Sequence, residues 1–210
     1  MKKRKGLFIT FEGIDGCGKS TQAKKLFGAL KKSGFPVVFI REPGGTPVSE
    51  KIRKVLLDRR IELNALGELF LYQAARANLT EKIIIPALNK NQIVICDRFF
   101  DSTTAYQGYG RKLDLNLIEK LNKSASFDRN PDMTFILDVD YETSLKRRNG
   151  KPDRLEKEKR VFFNRVRKGF RDISNKKRVI LLDGRDDIET IFAQILSRVL
   201  KKIGAQNINA

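Results

Sequence analysis

The sequence predicts an α/β fold in which helices cover both faces of an open parallel sheet. Short apolar runs of the kind found in buried parallel strands recur along the 210 residues, and segments with helical spacing of apolar residues separate them. The first apolar run also leads through a glycine-rich turn into a helix-like segment. Strands that alternate with helices imply right-handed crossovers, and ligands then bind at the carboxyl ends of the strands.

Five apolar runs are the predicted strands, and they cover residues 7–11, 37–40, 93–96, 134–137 and 179–182. A helix-like segment, 21–32, follows the first run. The last helix is the clearest, because apolar residues recur in it at helical spacing and are expected to pack in the core. They are Ile188, Ile191, Phe192, Ile195, Leu196, Val199 and Leu200. No repeat or linker divides the chain, so we expect a single domain over 1–210.

The turn after the first strand has the spacing of a phosphate-binding loop, which is Gly13, four residues, Gly18, Lys19 and Ser20. Glycines let successive backbone N–H groups point at phosphate oxygens, and the N-terminus of the next helix adds partial positive charge. Lys19 is expected to reach the outer phosphates and Ser20 to bind Mg²⁺. The residues predicted to hold a nucleoside triphosphate are Gly13, Ile14, Asp15, Gly16, Cys17, Gly18, Lys19, Ser20 and Thr21.

Charged residues leave the carboxyl ends of the later strands and are expected to meet on the rim that holds this loop. Arg98 is placed to hold an acceptor phosphate, because a guanidinium binds phosphate oxygens bidentately, and we expect it to act with Lys19 in catalysis. Asp97 stands where P-loop enzymes keep an acid that binds Mg²⁺ through water, with a loop cap or ion pair as the plainer alternative. The segment of about 147–156 gathers cations around Gly150, which is typical of a mobile lid or of a solvated loop.

The net charge of +18 permits nucleic-acid binding, but the 43 Lys and Arg residues are spread along the whole chain. We therefore favour a solvated basic surface around anionic substrates, with no specific nucleic-acid partner. The chain has no histidine, which excludes His as general base or zinc ligand. The basic N-terminus precedes a strand and not an export signal, and no apolar run is long enough to span a membrane. Cys17 and Cys96 are expected to stay reduced in the cytoplasm.

Several further motifs, together with the phosphate loop, resemble the thymidylate kinase family over about residues 7–200. They are Phe-Glu before the loop, Arg-Glu-Pro-Gly-Gly-Thr at 41–46, Ala-Ala-Arg at 74–76, Asp-Arg-Phe at 97–99 and Ser-Thr-Thr-Ala-Tyr-Gln-Gly at 102–108. The resemblance implies transfer of the γ-phosphoryl group of ATP to thymidine 5′-monophosphate (dTMP), with Mg²⁺, giving dTDP for dTTP synthesis. It also implies a three-layer P-loop NTPase fold with a five-stranded parallel sheet, and a homodimer.

The same resemblance implies roles for the residues of the acceptor site. Asp15 would accept the 3′-hydroxyl of the sugar near Mg²⁺, and Arg53 and Arg98 would hold the acceptor phosphate. The other residues expected to bind substrate are Glu42 lining the site, Tyr72 stacked on the base, Arg76 at a thymine carbonyl, Thr103 and Gln107 at or beside the base, Tyr106 against the sugar, and Ser102. A site built with buried donors discriminates strongly against a ligand that lacks the matching group. The plainer alternative for Tyr106 is aromatic packing.

Three positions depart from the family pattern. Tyr72 stands where the family usually has a stacking Phe, and its hydroxyl needs a partner. Phe99 replaces the usual Tyr, so any role of a hydroxyl there is lost. The phosphate loop lacks the arginine that one branch of the family places there. The absence of that arginine resembles the bacterial branch of the family, in which the lid supplies the catalytic arginine. Here we expect it to be Arg148 or Arg154, with Arg147 as a further candidate.

Other functions remain open as alternatives. A GTP-binding switch would need a guanine-reading Asn-Lys-x-Asp tetrapeptide, which does not occur. A nucleic-acid-dependent ATPase would need two adjacent acids at the end of a strand. Asp138 and Asp140 match this pattern only weakly, because Val139 separates them. A kinase for another nucleoside monophosphate would share the loop and the lid, so only the base-site residues favour thymidine. Lys19, Ser20 and Arg98 argue against a nucleotide-binding module without activity.

Overall fold

The computed structural model describes residues 6–148 and 153–208, and this part of the chain contains a five-stranded parallel sheet. The strands are β1 (Leu7–Glu12), β2 (Val37–Arg41), β3 (Ile93–Asp97), β4 (Met133–Asp138) and β5 (Val179–Asp183). They lie in the order β2-β3-β1-β4-β5, and each neighbouring pair is parallel. The predicted fold class is confirmed. Each strand contains its predicted apolar run and ends on a charged residue directly after it.

Helices fill the connections between the strands. They are α1 (Lys19–Lys32), α2 (Pro47–Leu57), α3 (Ala65–Leu79), α4 (Ile85–Asn89), α5 (Phe100–Thr103), α6 (Leu115–Ala125), α7 (Tyr141–Arg147), α8 (Arg160–Ile173) and α9 (Ile188–Ile208). Two π-helical segments, Thr80–Ile84 and Thr104–Gly110, continue α3 and α5. The sequence pattern did not predict these two segments. The second contains Thr-Ala-Tyr-Gln-Gly, which is most of the motif at 102–108. The helix predicted over 21–32 begins two residues earlier, at Lys19.

The core lies on both faces of the sheet, because successive side chains of a strand point to opposite faces. On β1, Leu7, Ile9 and Phe11 pack with α1, α8 and α9, whereas Phe8 packs with α4 and the turn after β3. In α9 the predicted stripe does pack inward through buried or partly buried residues: Ile191, Phe192, Ile195, Leu196 and Val199. Its two end members, Ile188 and Leu200, are exposed instead, whereas Ile203, one turn beyond the predicted stripe, is buried in the core.

The fold sets the position of the site. All strands run in one direction, so Glu12, Arg41, Asp97, Asp138 and Asp183 end the five strands on a shared rim. Both cysteines are buried and form no disulfide. In the described ranges, none of the helices has the length and hydropathy to cross a bilayer.

Candidate active site

The phosphate loop connects β1 to α1 and requires glycine at specific positions. Gly13 and Gly16 have φ values of 132° and 78°, in the region that L side chains rarely adopt. A Cβ on Gly13 would lie 2.5 Å from the carbonyl oxygen of Leu137, and one on Gly16 would lie 2.5 Å from that of Ser144. Gly18 begins α1 and supplies no side-chain cap. The first N–H groups of α1 are therefore left for an anionic ligand.

Lys19, Ser20 and Asp97 form the polar end of this loop. Lys19 Nζ lies 3.3 Å from Asp15 Oδ1, and Ser20 Oγ donates to Asp97 Oδ2 at 2.5 Å. The other carboxylate oxygen of Asp97 is buried and has no hydrogen-bond partner within the described residues. A hydroxyl beside an unpaired carboxylate oxygen fits Mg²⁺, which keeps several waters and shares its ligands with substrate phosphates. The described residues contain no cluster of three or more Cys, Asp or Glu that could hold a metal by themselves.

Residues that are far apart in the sequence meet in a pocket on one side of this loop. The pocket is lined by every residue expected to bind the acceptor: Asp15, Glu42, Arg53, Tyr72, Arg76, Arg98, Ser102, Thr103, Tyr106 and Gln107. They come from the loop, the end of β2, α2, α3, the turn after β3, α5 and the π-helical segment Thr104–Gly110. The structure therefore brings these residues together, and their individual roles in binding stay predictions.

Arg98 is held in an unusual backbone conformation at the mouth of this pocket. Its φ is 71°, which is uncommon for a non-glycine residue, and such outliers concentrate at functional sites. Backbone N–H of Arg98 donates to Phe11 O at 2.9 Å, and Nη1 donates to Gly13 O and Ser102 Oγ at 3.0 Å each. Although burial opposes the charge, Asp15 holds the pKa of Arg98 well above its ordinary value. A fixed cation therefore faces the pocket.

Asp15 links the phosphate loop to the pocket. Its Oδ1 accepts from Arg98 Nη2 at 2.6 Å and from Lys19 Nζ, and its Oδ2 accepts from the Tyr106 hydroxyl at 3.1 Å. Burial raises the pKa of Asp15, but the charges of Arg98 and Lys19 hold it well below its ordinary value. Asp15 is therefore an ionised acceptor for a hydroxyl or for water bound to a cation.

Arg76 lies inside the wall of the pocket and is 1% exposed. Nε and Nη2 donate to Glu42 Oε2 at 3.0 and 2.8 Å, Nη2 also donates to Thr103 Oγ1, and Nη1 donates to Gln73 Oε1 and Asn122 Oδ1. A guanidinium has five N–H donors, so protein acceptors engage all of them. The predicted hydrogen bond to a thymine carbonyl would thus have to be shared with one of these bonds. Burial also raises the pKa of Glu42, against the effect of Arg76.

The two aromatic departures occupy different environments. No residue in the described part of the chain hydrogen-bonds the hydroxyl of Tyr72, which borders the pocket, and burial raises its pKa. Phe99 is fully buried, with its ring 5.0 Å from that of Phe8 and 5.4 Å from the Arg76 guanidinium. A phenol hydroxyl at position 99 would therefore need a partner in the core.

Arg53 Nη1 donates to Pro43 O at 2.9 Å, which places its guanidinium on the rim.

The three arginines of the expected lid have different surroundings. Arg148 Nη2 donates to Ser144 Oγ at 2.7 Å, and the guanidinium lies 4.3 Å from the Phe163 ring. Ser144 Oγ in turn donates to the backbone oxygen of Asp15 at 2.6 Å. The remaining nitrogens of Arg148, Nε and Nη1, are buried and find no partner in the described ranges. This arginine is therefore tied to the phosphate loop with donors to spare.

Arg154 and Arg147 lie elsewhere. Arg154 Nη1 is 2.6 Å from Glu68 Oε2 in α3, and its Nε donates to Leu56 O at 2.9 Å. Arg147 is exposed and donates from Nη1 to Gly184 O at 2.6 Å. Gly150, which the sequence marks as the hinge of the lid, falls outside the described residues. The arginines thus face different parts of the site, although the sequence places them in one segment.

A second pocket lies on the other side of the phosphate loop. It is lined by loop and α1 residues 16–22, by Leu137 and Arg147, and by the turn after β5 with the start of α9. Asp15 faces the first pocket, whereas Gly18, Lys19 and Ser20 face the second. The loop therefore separates two pockets whose contents would meet at the loop.

Two buried acids at the site were given no role from the sequence, although Glu12 belongs to the Phe-Glu motif before the loop. Glu12 accepts from the backbone N–H of Phe99 at 2.7 Å and from Ser102 Oγ at 2.5 Å, and Glu68 accepts hydrogen bonds on both oxygens. Each had a signal in the sequence. Glu12 is a charge directly after a buried apolar run, and Glu68 precedes Tyr72 by one helical turn, on the same face of α3.

The acids after β4 have structural partners. Asp138 accepts from Arg167 Nε at 2.7 Å and from Arg171 Nη2 at 2.8 Å, and Asp140 caps α7 by accepting from the backbone of Thr143. Neither lines either of the two pockets beside the loop. This arrangement gives no support to the motor-type ATPase alternative, which needs a free acid there.

Comparisons with known proteins agree with this geometry. A family model described as thymidylate kinase matches residues 11–195. A thymidylate kinase of Chlorobium phaeobacteroides is 45% identical over 209 residues, covering 93% of this chain and 95% of that protein. One of Halothermothrix orenii is 44% identical over 200 residues, with 93% and 97% covered. The crystal structure of thymidylate kinase from Ehrlichia chaffeensis superposes with a TM-score of 0.76 at 38% identity, covering 93% of this chain and 99% of that one.

Proposed function

The chain belongs to the thymidylate kinase family, and from that premise we propose how its two pockets divide the transfer of a phosphoryl group from ATP to dTMP. The products are dTDP and ADP. One observation carries the proposal: the phosphate loop lies between two pockets, and Asp15 and Lys19 face different ones although they bind each other. A phosphoryl group held by the loop is then within reach of a second phosphate held by Arg98.

ATP occupies the pocket on the α9 side in this proposal. The backbone N–H groups of the loop and Lys19 hold its phosphates, and the adenosine lies between Arg147 and the turn after β5. Ser20 and Asp97 would hold Mg²⁺, the acid through water, and the cation would supply neutralisation of charge on the phosphate oxygens. The buried Oδ1 of Asp97 has no hydrogen-bond partner in the described chain, which supports a role for Asp97 in holding Mg²⁺.

In the other pocket dTMP is held by charge at one end and by shape at the other. Arg98 and Arg53 hold the 5′-phosphate, and Asp15 accepts the 3′-hydroxyl. The Tyr72 ring, which lines this pocket, stacks on the base. Tyr106 lies under the sugar, and the remaining lining residues that border the base are Glu42, Arg76, Ser102, Thr103 and Gln107.

The chemical step needs positioning and charge neutralisation more than covalent participation of the protein. An oxygen of the acceptor phosphate forms a bond to the γ-phosphorus while the bond to the bridging oxygen of ADP breaks. Lys19 and Arg98 stabilise the charge from the two sides. From the lid segment, we assign Arg148 to the transferring group, because two of its nitrogens are unpaired and Ser144 ties it to the loop. Arg154 is assigned to positioning through Glu68.

A homodimer and a cytoplasmic location complete the proposal. The family resemblance supports the dimer, as do large apolar side chains that are exposed on α2 and α3: Val48 (50%), Leu66 (43%) and Phe70 (51%). Light scattering should give about twice the chain mass of 24.0 kDa. We propose no specific nucleic-acid partner. The charge of +18 should produce only weak, salt-sensitive DNA binding, in the non-specific range of roughly 10⁻⁴–10⁻⁶ M.

A coupled assay of ADP release tests the proposed reaction. ATP with Mg²⁺ and dTMP should give rapid release, and ATP with Mg²⁺ alone should give little. A protein that hydrolyses ATP at the same rate with and without any nucleoside monophosphate would contradict the proposed transfer.

A further inference from the structure

Glu68 is completely buried beneath the base-facing end of the acceptor pocket. Its Oε1 accepts from Gln107 Nε2 at 2.7 Å and from Arg111 Nε at 3.2 Å. Its Oε2 accepts from Arg111 Nη2 at 3.1 Å and lies 2.6 Å from Arg154 Nη1. Arg111 also pairs with Glu158. This carboxylate is therefore surrounded by three donor residues from two parts of the chain, one at 107–111 and the other at Arg154.

The charge state of Glu68 decides which atoms of Gln107 it can bind. Burial raises the pKa of Glu68, but hydrogen bonds from Arg111 and Gln107 outweigh that effect, so the pKa lies below its ordinary value. An ionised carboxylate only accepts hydrogen bonds, and the amide of Gln107 has one donating and one accepting end. Turning that amide over would place its oxygen against the Glu68 oxygen. The NH₂ group must therefore face Glu68.

The other end of the amide is then left for a ligand. Gln107 lines the acceptor pocket, and no donor in the described part of the chain hydrogen-bonds its Oε1. Arg76 cannot turn toward it, because five protein contacts occupy its own donors. Gln107 thus presents an acceptor to the pocket, and that acceptor matches a ligand with an N–H group at this position.

We propose that Glu68 is a positioning residue that selects the base, because it fixes the Gln107 amide with its oxygen toward the pocket. This inference rests on the proposed function and refines it. Thymine carries a hydrogen on N3, which can donate to the Gln107 oxygen. Cytosine carries a lone pair on N3, so the two acceptors would face each other without a proton between them. A buried polar pair of this kind is penalised far more than a missing apolar contact.

The test compares dTMP with 5-methyl-deoxycytidine 5′-monophosphate, because both carry the 5-methyl group and they differ only at N3 and the C4 substituent. In Glu68→Gln the new side chain can accept as well as donate, so the Gln107 amide is free to turn over. We expect the ratio of kcat/KM for dTMP to that for the cytosine analogue to fall about tenfold or more, mainly because the analogue improves. ADP release measures both substrates.

Arg111→Gln is the matched control. It removes one cation from the cluster but leaves Glu68 the donors Gln107 Nε2 and Arg154 Nη1, both of which favour the ionised carboxylate. We expect Arg111→Gln to lower the melting temperature and to keep the wild-type ratio of kcat/KM for dTMP to that for the cytosine analogue. Because Glu68→Gln leaves an arginine short of a partner, the double variant Glu68→Gln/Arg111→Gln restores the charge balance and should show the same fall in the ratio as Glu68→Gln.

The outcomes separate this inference from the proposed function. A wild-type protein that does not phosphorylate dTMP would overturn the proposed function itself. A wild-type protein that uses dTMP and the cytosine analogue equally well would overturn only the role of Glu68, even if neither variant folds. Folded variants that keep the wild-type ratio would do the same. A fall in the ratio in the Glu68 variants but not in Arg111→Gln would support the inference.

Discussion

Arg98 Nη2 lies 2.6 Å from Asp15 Oδ1, so the turn after β3 and the phosphate loop are joined by a direct ion pair. Gly13 O and Ser102 Oγ hold the other terminal nitrogen of Arg98. The cation that we propose to bind the acceptor phosphate is therefore fixed against the loop that we propose to bind the donor phosphates. Such preorganisation is how phosphoryl transfer is accelerated without covalent participation of the protein.

The first prediction concerns Lys19. Because the polar partners of the side chain in the described part of the chain are Asp15 and Ile14 O, both within the phosphate loop itself, Lys19→Ala should leave the fold intact. Loss of a cation that clamps the phosphates should lower kcat on the order of 10²–10³-fold or more. Lys24→Ala, on the exposed side of the same helix, is the control and should keep wild-type turnover. Near-normal kcat in a folded Lys19→Ala protein would contradict the assignment of the loop.

The second prediction separates the lid arginines. Arg148→Ala should lose most of kcat, on the order of 10³-fold, with little change in either KM, because its free donors act on the transferring group. Lysine at position 148 should rescue only in part, since a point charge lacks the planar fork. Arg154→Ala should instead lower the melting temperature and raise KM for dTMP through Glu68. Wild-type kcat in Arg148→Ala, with a loss in Arg154→Ala, would reverse the two assignments.

The third prediction concerns the sugar. The Tyr106 ring is buried, with ring centroids 6.1 and 6.2 Å from those of Phe162 and Phe170, and its hydroxyl binds Asp15. If the ring fills the space that a ribose 2′-hydroxyl needs, Tyr106→Phe should keep the preference for deoxyribonucleotide. Tyr106→Ala should narrow that preference several-fold. Relative kcat/KM for dTMP and its ribose form decides the question, and an equal ratio in all three proteins would leave Tyr106 as a packing residue.

The fourth prediction is a pH dependence of stability that arises from Glu12. Burial and the nearby Asp101 raise the pKa of Glu12 from 4.5 to about 8, against hydrogen bonds from Ser102 and Phe99. Between these two values the folded state binds more protons than the unfolded state. The free energy of unfolding therefore falls as pH rises from about 5 to 8, by at most a few kcal/mol from this group.

Glu12→Gln tests that dependence, because it removes the titration and keeps an acceptor for the Phe99 N–H. Urea unfolding of the variant at pH 5 to 8 should show a flatter profile than the wild type. Glu42, whose pKa is also raised, contributes a slope of the same sign in both proteins. The chain contains no histidine to titrate in this window. Parallel profiles for the two proteins would contradict the role of Glu12.

Much of this architecture could be predicted from the sequence, for physical reasons. Buried parallel strands are short apolar runs, so β1 to β5 could be predicted from the sequence. The phosphate loop could also be predicted, because a loop that wraps around phosphate needs glycines at fixed spacing. Other features depend on tertiary partners that no local pattern encodes. The left-handed Arg98 needs the Phe11 carbonyl, which accepts its backbone N–H, and the satisfied donors of Arg76 need Glu42 after β2 and Asn122 in α6.

The lid illustrates the same limit. Its arginines look equivalent in sequence, but one is tied to the phosphate loop and another to α3. Glu68 was overlooked because a charge on a helix usually faces solvent, whereas here Arg111, Arg154 and Gln107 come from other segments to satisfy it.

The measurement that tests the central claim most directly is ADP release from ATP with each nucleoside monophosphate in turn, at equal concentrations and with Mg²⁺. The panel contains dTMP, dUMP, dCMP, dAMP and dGMP, with Lys19→Ala as the inactive control. We predict that dTMP gives the highest kcat/KM, with dUMP the next best because it lacks only the methyl group. A higher kcat/KM for a purine or cytosine nucleotide than for dTMP would contradict the assignment of the acceptor pocket.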